Sequence, residues 1–280
     1  MKKHLLAATA SLILSQQVMA APTLSERLPN LPGAESVVFD ENKGVYFVSL
    51  QSGNEPGDGS IVALNADYQF IATIANGLDN PKGIALKNNL LFASDMKALL
   101  EIDLATGKVV THHAENAEFL NDVEIDADGN VYVSDMFTSA IYKLENNTMS
   151  VWMDTPELEN PNGLKFIDGD LYVAAWGSFS DGDPLNAPFG RLLKVNPETK
   201  SIKRVTEKPF GNLDGIQVNE DGNLIVSDWK QGVIFTVSTQ GEIQKTVDLP
   251  RGSGDIYYSK NQKTLMVPMA LEGEVLVYQY

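Results

Sequence analysis

One pattern recurs six times along this 280-residue chain, and its spacing leaves few folds open. Its cleanest copy is FLNDVEIDADGNVYVSD, residues 119–135. Val123, Ile125, Val131 and Val133 alternate with other residues at the two-residue period of half-buried β-structure, and Asp128-Gly129 supplies a tight turn between the runs. A polar residue, Asn121, stands at the entrance of the hairpin. The same frame reads AESVVFDENKGVYFVS from Ala34, PKGIALKNNLLFASD from Pro81, PNGLKFIDGDLYVAA from Pro161, LDGIQVNEDGNLIVSD from Leu213 and SGDIYYSKNQKTLMVP from Ser253. The entrance positions are Glu35, Lys82, Asn121, Asn162, Asp214 and Gly254, separated by 47, 39, 41, 52 and 40 residues. That period is the length of a four-stranded propeller blade. The repeat therefore predicts an all-β, six-bladed β-propeller with four antiparallel strands in each blade.

Two outer strands should follow each hairpin: 61–64 with 70–74, 98–102 with 109–111, 140–144 with 149–152, 191–195 with 202–205, and 233–237 with 243–247. The sixth blade runs out after three strands, at 274–278, so its outer strand is expected from residues 23–28, which would close the ring and leave no exposed edge there. Residues 1–20 read as a secretory signal, with Lys2 and Lys3 before an apolar run from Leu5 to Leu14 and small residues at Val18 and Ala20. That run is too short for the roughly 20 residues of a membrane span. Cleavage would leave 280 − 20 = 260 residues as one propeller domain with a shared core, in the periplasm or outside the cell. Removing Lys2 and Lys3 leaves 19 basic against 37 acidic residues, a net charge of −18, which argues against nucleic acid or anionic lipid as partner. There is no cysteine, hence no disulfide, thiolate metal site or cysteine nucleophile.

The first strand of every blade lines the central channel, so the six entrance residues should form a ring at one end of it. Glu35, Asn121, Asn162 and Asp214 offer two carboxylates and two amide oxygens without an imidazole or thiolate, a donor set that favours Ca²⁺ over zinc or copper. Two alternatives stand beside that reading: the groups hydrogen-bond one another around channel water, or the ammonium of Lys82, expected beside Glu35 and opposite Asp214, replaces the metal. A second register, 14 or 15 residues after each ring position, holds Leu50, Met96, Met136, Trp176, Trp229 and Met269. These would form an apolar collar around a polar centre, as in a small-molecule site, or pack beneath the loops. Two long loops fall at the same end, residues 51–59 and 176–190, and the second, carrying Trp176 and Phe179, is a candidate lid. His112 and His113 fall on an outer strand and read as a solvated edge, and DADGN at 126–130 reads as a turn.

AESVVFD, FLNDVEIDADGNVYVSD, PNGLKF and LDGIQVNEDGNLIVSD resemble the senescence-marker-protein/gluconolactonase/luciferin-regenerating-enzyme-like superfamily of six-bladed propellers, related to paraoxonases. The resemblance spans nearly all of the chain after residue 20. It implies that Glu35, Asn162 and Asp214 bind a divalent metal, that Asn121 contacts metal or substrate, and that Asp214 acts as general base in a lactone or ester hydrolase. Lys82, in PKGIAL, stands outside that pattern and is a candidate for binding an anionic substrate or stabilising an oxyanion. The alternative is a non-catalytic propeller that binds a ligand or a protein.

Overall fold

The computed structural model describes residues 21–53, 55–179 and 182–280; the expected leader, 1–20, lies outside them. Six four-stranded antiparallel sheets are arranged as the blades of a propeller. Their channel strands are Ala34–Asp40, Pro81–Lys87, Leu120–Ile125, Pro161–Ile167, Leu213–Val218 and Tyr257–Ser259. The sixth sheet is completed by Thr23–Pro29, which pairs with Glu274–Gln279 and joins the two ends of the described chain in one blade. Among the described residues no helix is long and apolar enough to cross a membrane.

Among the described residues the hydrophobic side chains form six inter-blade cores and a seventh cluster around Met136 and Trp176, and this replaces the single shared core expected from the repeat. The cause is the two-residue period of a strand: neighbouring side chains point to opposite faces, and both faces of a blade are covered. Tyr46 and Val48 pack toward Val275 and Val277 of blade six, while Phe47 between them packs toward Leu91 and Leu100 of blade two. Likewise Val131 and Val133 face blade two, and Tyr132 faces Leu171 and Val173 of blade four.

Two local expectations need correction. His112 is buried, with Nε2 at 3.0 Å from Glu101 Oε2 and Nδ1 at 3.3 Å from the Asn147 carbonyl, so it ties blade two to blade three while His113 remains exposed. The channel strand of blade six is only three residues long. Before it, Ser253 and Gly254 pair with Met269 and Pro268 of the second strand, and then the Asp255 N–H donates to the Glu35 carbonyl at 2.7 Å, which ties the segment to blade one as well. DADGN is a turn: Asp126 Oδ1 accepts from the Asn130 N–H at 2.8 Å, and the Asn130 carbonyl accepts from the Asp126 N–H.

Candidate functional site

In five blades the ring residue sits in a β-bulge. Ala34 pairs with Leu50 and Val37 with Val48, so Glu35 and Ser36 together oppose Ser49. The same two-against-one arrangement recurs at Lys82-Gly83, Asn121-Asp122, Asn162-Gly163 and Asp214-Gly215. A bulge bends its strand and re-aims a side chain, and here it points each ring residue at the channel mouth.

The bulge leaves backbone groups out of the ladder, and a buried serine on the facing strand takes them up. Ser134 Oγ accepts from the Asp122 N–H at 3.0 Å and donates to the Asn162 carbonyl of the next blade at 2.6 Å. Ser227 accepts from the Gly215 N–H and donates to the Gly254 carbonyl, both at 2.8 Å. Ser94 donates to the Asn121 carbonyl. Each of these serines thus holds the ring residue of the following blade. Blade four has Ala174 in that place, and Asn162 Nδ2 reaches the Leu213 carbonyl at 3.3 Å. The second bulge residue packs on the next blade's backbone: a Cβ on Gly163 would lie 2.0 Å from the Asp214 carbonyl oxygen, and one on Gly83 would lie 2.5 Å from Asp122 Cα.

The ring residues Glu35, Lys82, Asn121, Asn162 and Asp214 line one cavity of about 340 Å³ at the mouth of the channel. Asn162 Nδ2 donates to Asp214 Oδ2 at 3.1 Å. Lys82 Nζ lies 3.9 Å from Glu35 Oε1 and 4.8 Å from the centre of the Phe119 ring. Of the expected collar, Met136, Trp176 and Trp229 line the cavity. Leu50 and Met269 do not; they are buried in the cores between blades six and one and between blades five and six. Met96, held at φ 54°, lines a separate groove with Thr73, Leu78 and Thr111. Blade six contributes Ala270 and Leu271, and blade one Gln51 and Ser52, each just beyond the residue expected. Phe119, also missed, immediately precedes a channel strand.

Buried amides fix the loops carrying the collar. Asn160 Nδ2 donates to the Met136 carbonyl at 2.7 Å, and Asn212 Nδ2 to the carbonyls of Trp176 at 2.7 Å and Pro188 at 2.9 Å. The candidate lid is pinned as well. Trp176 Nε1 donates to the Pro184 carbonyl at 2.8 Å, and Lys230 Nζ to those of Leu185 and Ala187 at 2.7 and 3.0 Å.

Two acceptors in the ring, Glu35 Oε2 and Asn162 Oδ1, are buried without a hydrogen-bond partner. A buried acceptor without a donor is costly, and oxygen donors of this kind suit a hard cation such as Ca²⁺. Among the described residues no three His, Cys, Asp or Glu side chains converge as ligands, so two carboxylates and two amides would have to hold it. The residues fit that role, with Lys82 as a competing positive charge.

Burial makes four channel carboxyls, Glu35, Asp122, Asp214 and Asp255, weaker acids than usual. Asp214 is held well above the usual carboxylate range by burial and then by the charge of Glu35. Burial also raises Glu35, against the pull of Lys82. Behind the ring, Asp122 is raised by burial and by Asp255 while its oxygens accept from the Val123 and Leu164 N–H groups, each at 2.6 Å. Asp255, accepting from Ser36 Oγ at 2.8 Å, is pushed up to about 7, chiefly by burial. A raised folded-state value contributes stability that is complete below the unfolded value near 4 and is lost as pH rises through the folded one. Calcium-free protein should therefore melt several degrees higher at pH 5 than at pH 8, and Asp255→Asn should flatten that difference. Calorimetric melting in chelator checks it; an equal or lower melting temperature at pH 5 would contradict the assignment.

Residues 34–267 match the SMP-30/gluconolactonase/LRE-like region. A protein from Arabidopsis thaliana named strictosidine synthase-like 3 is 26% identical over 260 residues, a match covering 75% of this chain and 62% of that protein. The chain thus spans about three fifths of that relative's length. Among solved structures, a gluconolactonase from Xanthomonas campestris superposes with a TM-score of 0.70 at 14% identity, covering 94% of this chain and 95% of that one. A virginiamycin B lyase from Staphylococcus aureus superposes at 0.65 with 12% identity, covering 91% and 98%. At those identities the superpositions speak for the fold alone. The matched region spans all six ring positions, blades one to five and the inner half of blade six, and the chain belongs to the SMP-30/gluconolactonase/LRE-like family.

Proposed function

We propose that the chain is an exported, calcium-dependent hydrolase acting on a lactone or ester at the channel mouth. The observation that carries this reading is the pair of buried, unpartnered acceptors, Glu35 Oε2 and Asn162 Oδ1, beside the raised carboxyl of Asp214. Family membership supports a lactone as the substrate class.

A divalent cation held by Glu35, Asn121, Asn162 and Asp214 would supply Lewis-acid polarisation of the substrate carbonyl. Asp214 takes a proton from the attacking water as general base. As the water oxygen bonds to the carbonyl carbon, the acyl–oxygen bond breaks and the proton passes to the leaving alkoxide. No nucleophilic side chain is required. The Lys82 ammonium, steadied by Glu35 and Phe119, offers positive charge to an oxyanion or to an anionic substrate group. The test is a screen of lactones and aryl esters with and without chelator. Turnover that chelator removes and calcium restores is expected; absence of turnover in both classes would end the hydrolase reading.

A second reading follows from the 3.9 Å approach of Lys82 to Glu35. As a built-in counter-ion, Lys82 would make this a binding propeller without a metal. Calcium at 100 times its dissociation constant stabilises a protein that binds it by about 2.7 kcal/mol. For a chain of this size that raises melting by roughly 5–10 °C, and no shift at all is what the second reading requires.

A further inference from the structure

The cavity is polar on its floor and apolar on one wall. Floor residues Glu35, Lys82, Asn121, Asn162 and Asp214 face the reacting group, while Phe119, Met136, Trp176 and Trp229 form the wall on the side of blades three to five. The two indoles pack together with ring centres 6.0 Å apart and planes inclined at 50°, Trp176 buried and Trp229 half-buried. Trp176 Nε1, on this wall, is spent on the Pro184 carbonyl, Asn212 Nδ2 is spent on the carbonyls of Trp176 and Pro188, and Lys230 Nζ donates to the Leu185 carbonyl of the lid. Among the described residues, the polar side chains lining the rim are Gln51 and Ser52, on the blade-one side.

We propose that the cavity selects a lactone or ester whose non-reacting part is a flat, apolar ring, an aryl lactone being the simplest case, and that it discriminates against polyhydroxylated sugar lactones. This deepens the hydrolase reading and rests on it for turnover, though not for binding. An aryl ring laid on the accessible face of this wall, at the half-buried Trp229, covers apolar surface and gains the offset contacts aromatic pairs prefer. A sugar ring in the same place turns hydroxyls toward Phe119, Met136 and Trp176, and those against the wall would be stripped of water without compensation. An apolar pocket rejects even one added hydroxyl by on the order of 10²-fold.

Three lactones with the same six-membered reacting ring test this: dihydrocoumarin, δ-valerolactone and δ-gluconolactone. Expected kcat/KM falls in that order, with at least ~100-fold between the first and the last. In Trp229→Ala the preference for dihydrocoumarin over δ-valerolactone should drop at least tenfold, through KM more than kcat, and Trp229→Phe should restore most of it. Equal or better turnover of δ-gluconolactone, or an unchanged preference in Trp229→Ala, would overturn the proposal. Binding is read separately with 2-tetralone, the carbocyclic analogue of dihydrocoumarin that water cannot open, by quenching of tryptophan fluorescence. Saturable quenching that is lost in Trp229→Ala, with no turnover of any lactone, would uphold the aryl site while ending the hydrolase reading. No saturable quenching by 2-tetralone would overturn the aryl site whatever the turnover.

Discussion

Asp214→Asn should lower kcat for the hydrolysed lactone by ~10²–10⁴, the range a positioned general base supplies, and should raise the melting temperature of the calcium-free protein. The two effects have one cause. Asp214 is buried and accepts a hydrogen bond from Asn162, and the charge of Glu35 acts on it, so its ionised form is held at a cost. Asparagine keeps the shape and removes the charge, relieving the cost and abolishing the proton acceptor. A variant that loses activity and stability together would point to a structural carboxylate, and one that keeps activity would remove Asp214 from the chemistry. Steady-state kinetics alongside calorimetric melting separates these outcomes.

Gly163→Ala should be among the most damaging single methyl additions at the site. Its Cβ would stand 2.0 Å from the Asp214 carbonyl oxygen and 3.3 Å from Ala174 Cβ, with backbone on the near side. The glycine is needed for close approach of blade five; it is absent from the residues at positive φ. Relieving the clash must shift blade four against blade five and so displace Asn162 and Asp214 together. Overpacking of this kind costs about 1–3 kcal/mol and at times more, so melting should fall by roughly 2–12 °C, with activity falling further. Gly83→Ala and Gly215→Ala, at the same bulge position, should act in the same direction, since their Cβ atoms would meet Asp122 Cα at 2.5 Å and the Ile256 nitrogen at 2.4 Å. Melting temperatures indistinguishable from wild type would show that the inter-blade packing tolerates a methyl there.

The blade count, the closure by residues 23–29 and the convergence of Glu35, Lys82, Asn121, Asn162 and Asp214 were legible in the sequence. Each follows from a period, and a period survives folding. The collar was legible only in part because the residue after a second strand either continues the blade or leaves it. Met136, Trp176 and Trp229 leave toward the cavity, Met269 stays paired opposite Glu274, and Met96 turns away at a left-handed φ. Alternation alone could not show the bulges, since a two-against-one register leaves no gap in the pattern. Their signal was nevertheless present in the small residue after the ring position, Ser36, Gly83, Gly163 and Gly215, and in the recurrent serine of VSL, ASD and VSD. The buried carboxyls Asp122 and Asp255 were hidden for a different reason. Each directly follows a ring residue: the bulge turns Asp122 inward to the Leu164 N–H, and Asp255, ahead of the short strand of blade six, is brought to Ser36 by its bridge to blade one.

Calorimetric titration of calcium into chelator-treated wild type and Lys82→Ala tests the central claim most directly. If Glu35, Asn121, Asn162 and Asp214 hold the ion while Lys82 serves the substrate, both proteins bind one calcium with similar affinity and only turnover suffers in the variant. No measurable binding in wild type, with binding appearing in Lys82→Ala, would show that the ammonium occupies the metal's place and would contradict the calcium-dependent hydrolase.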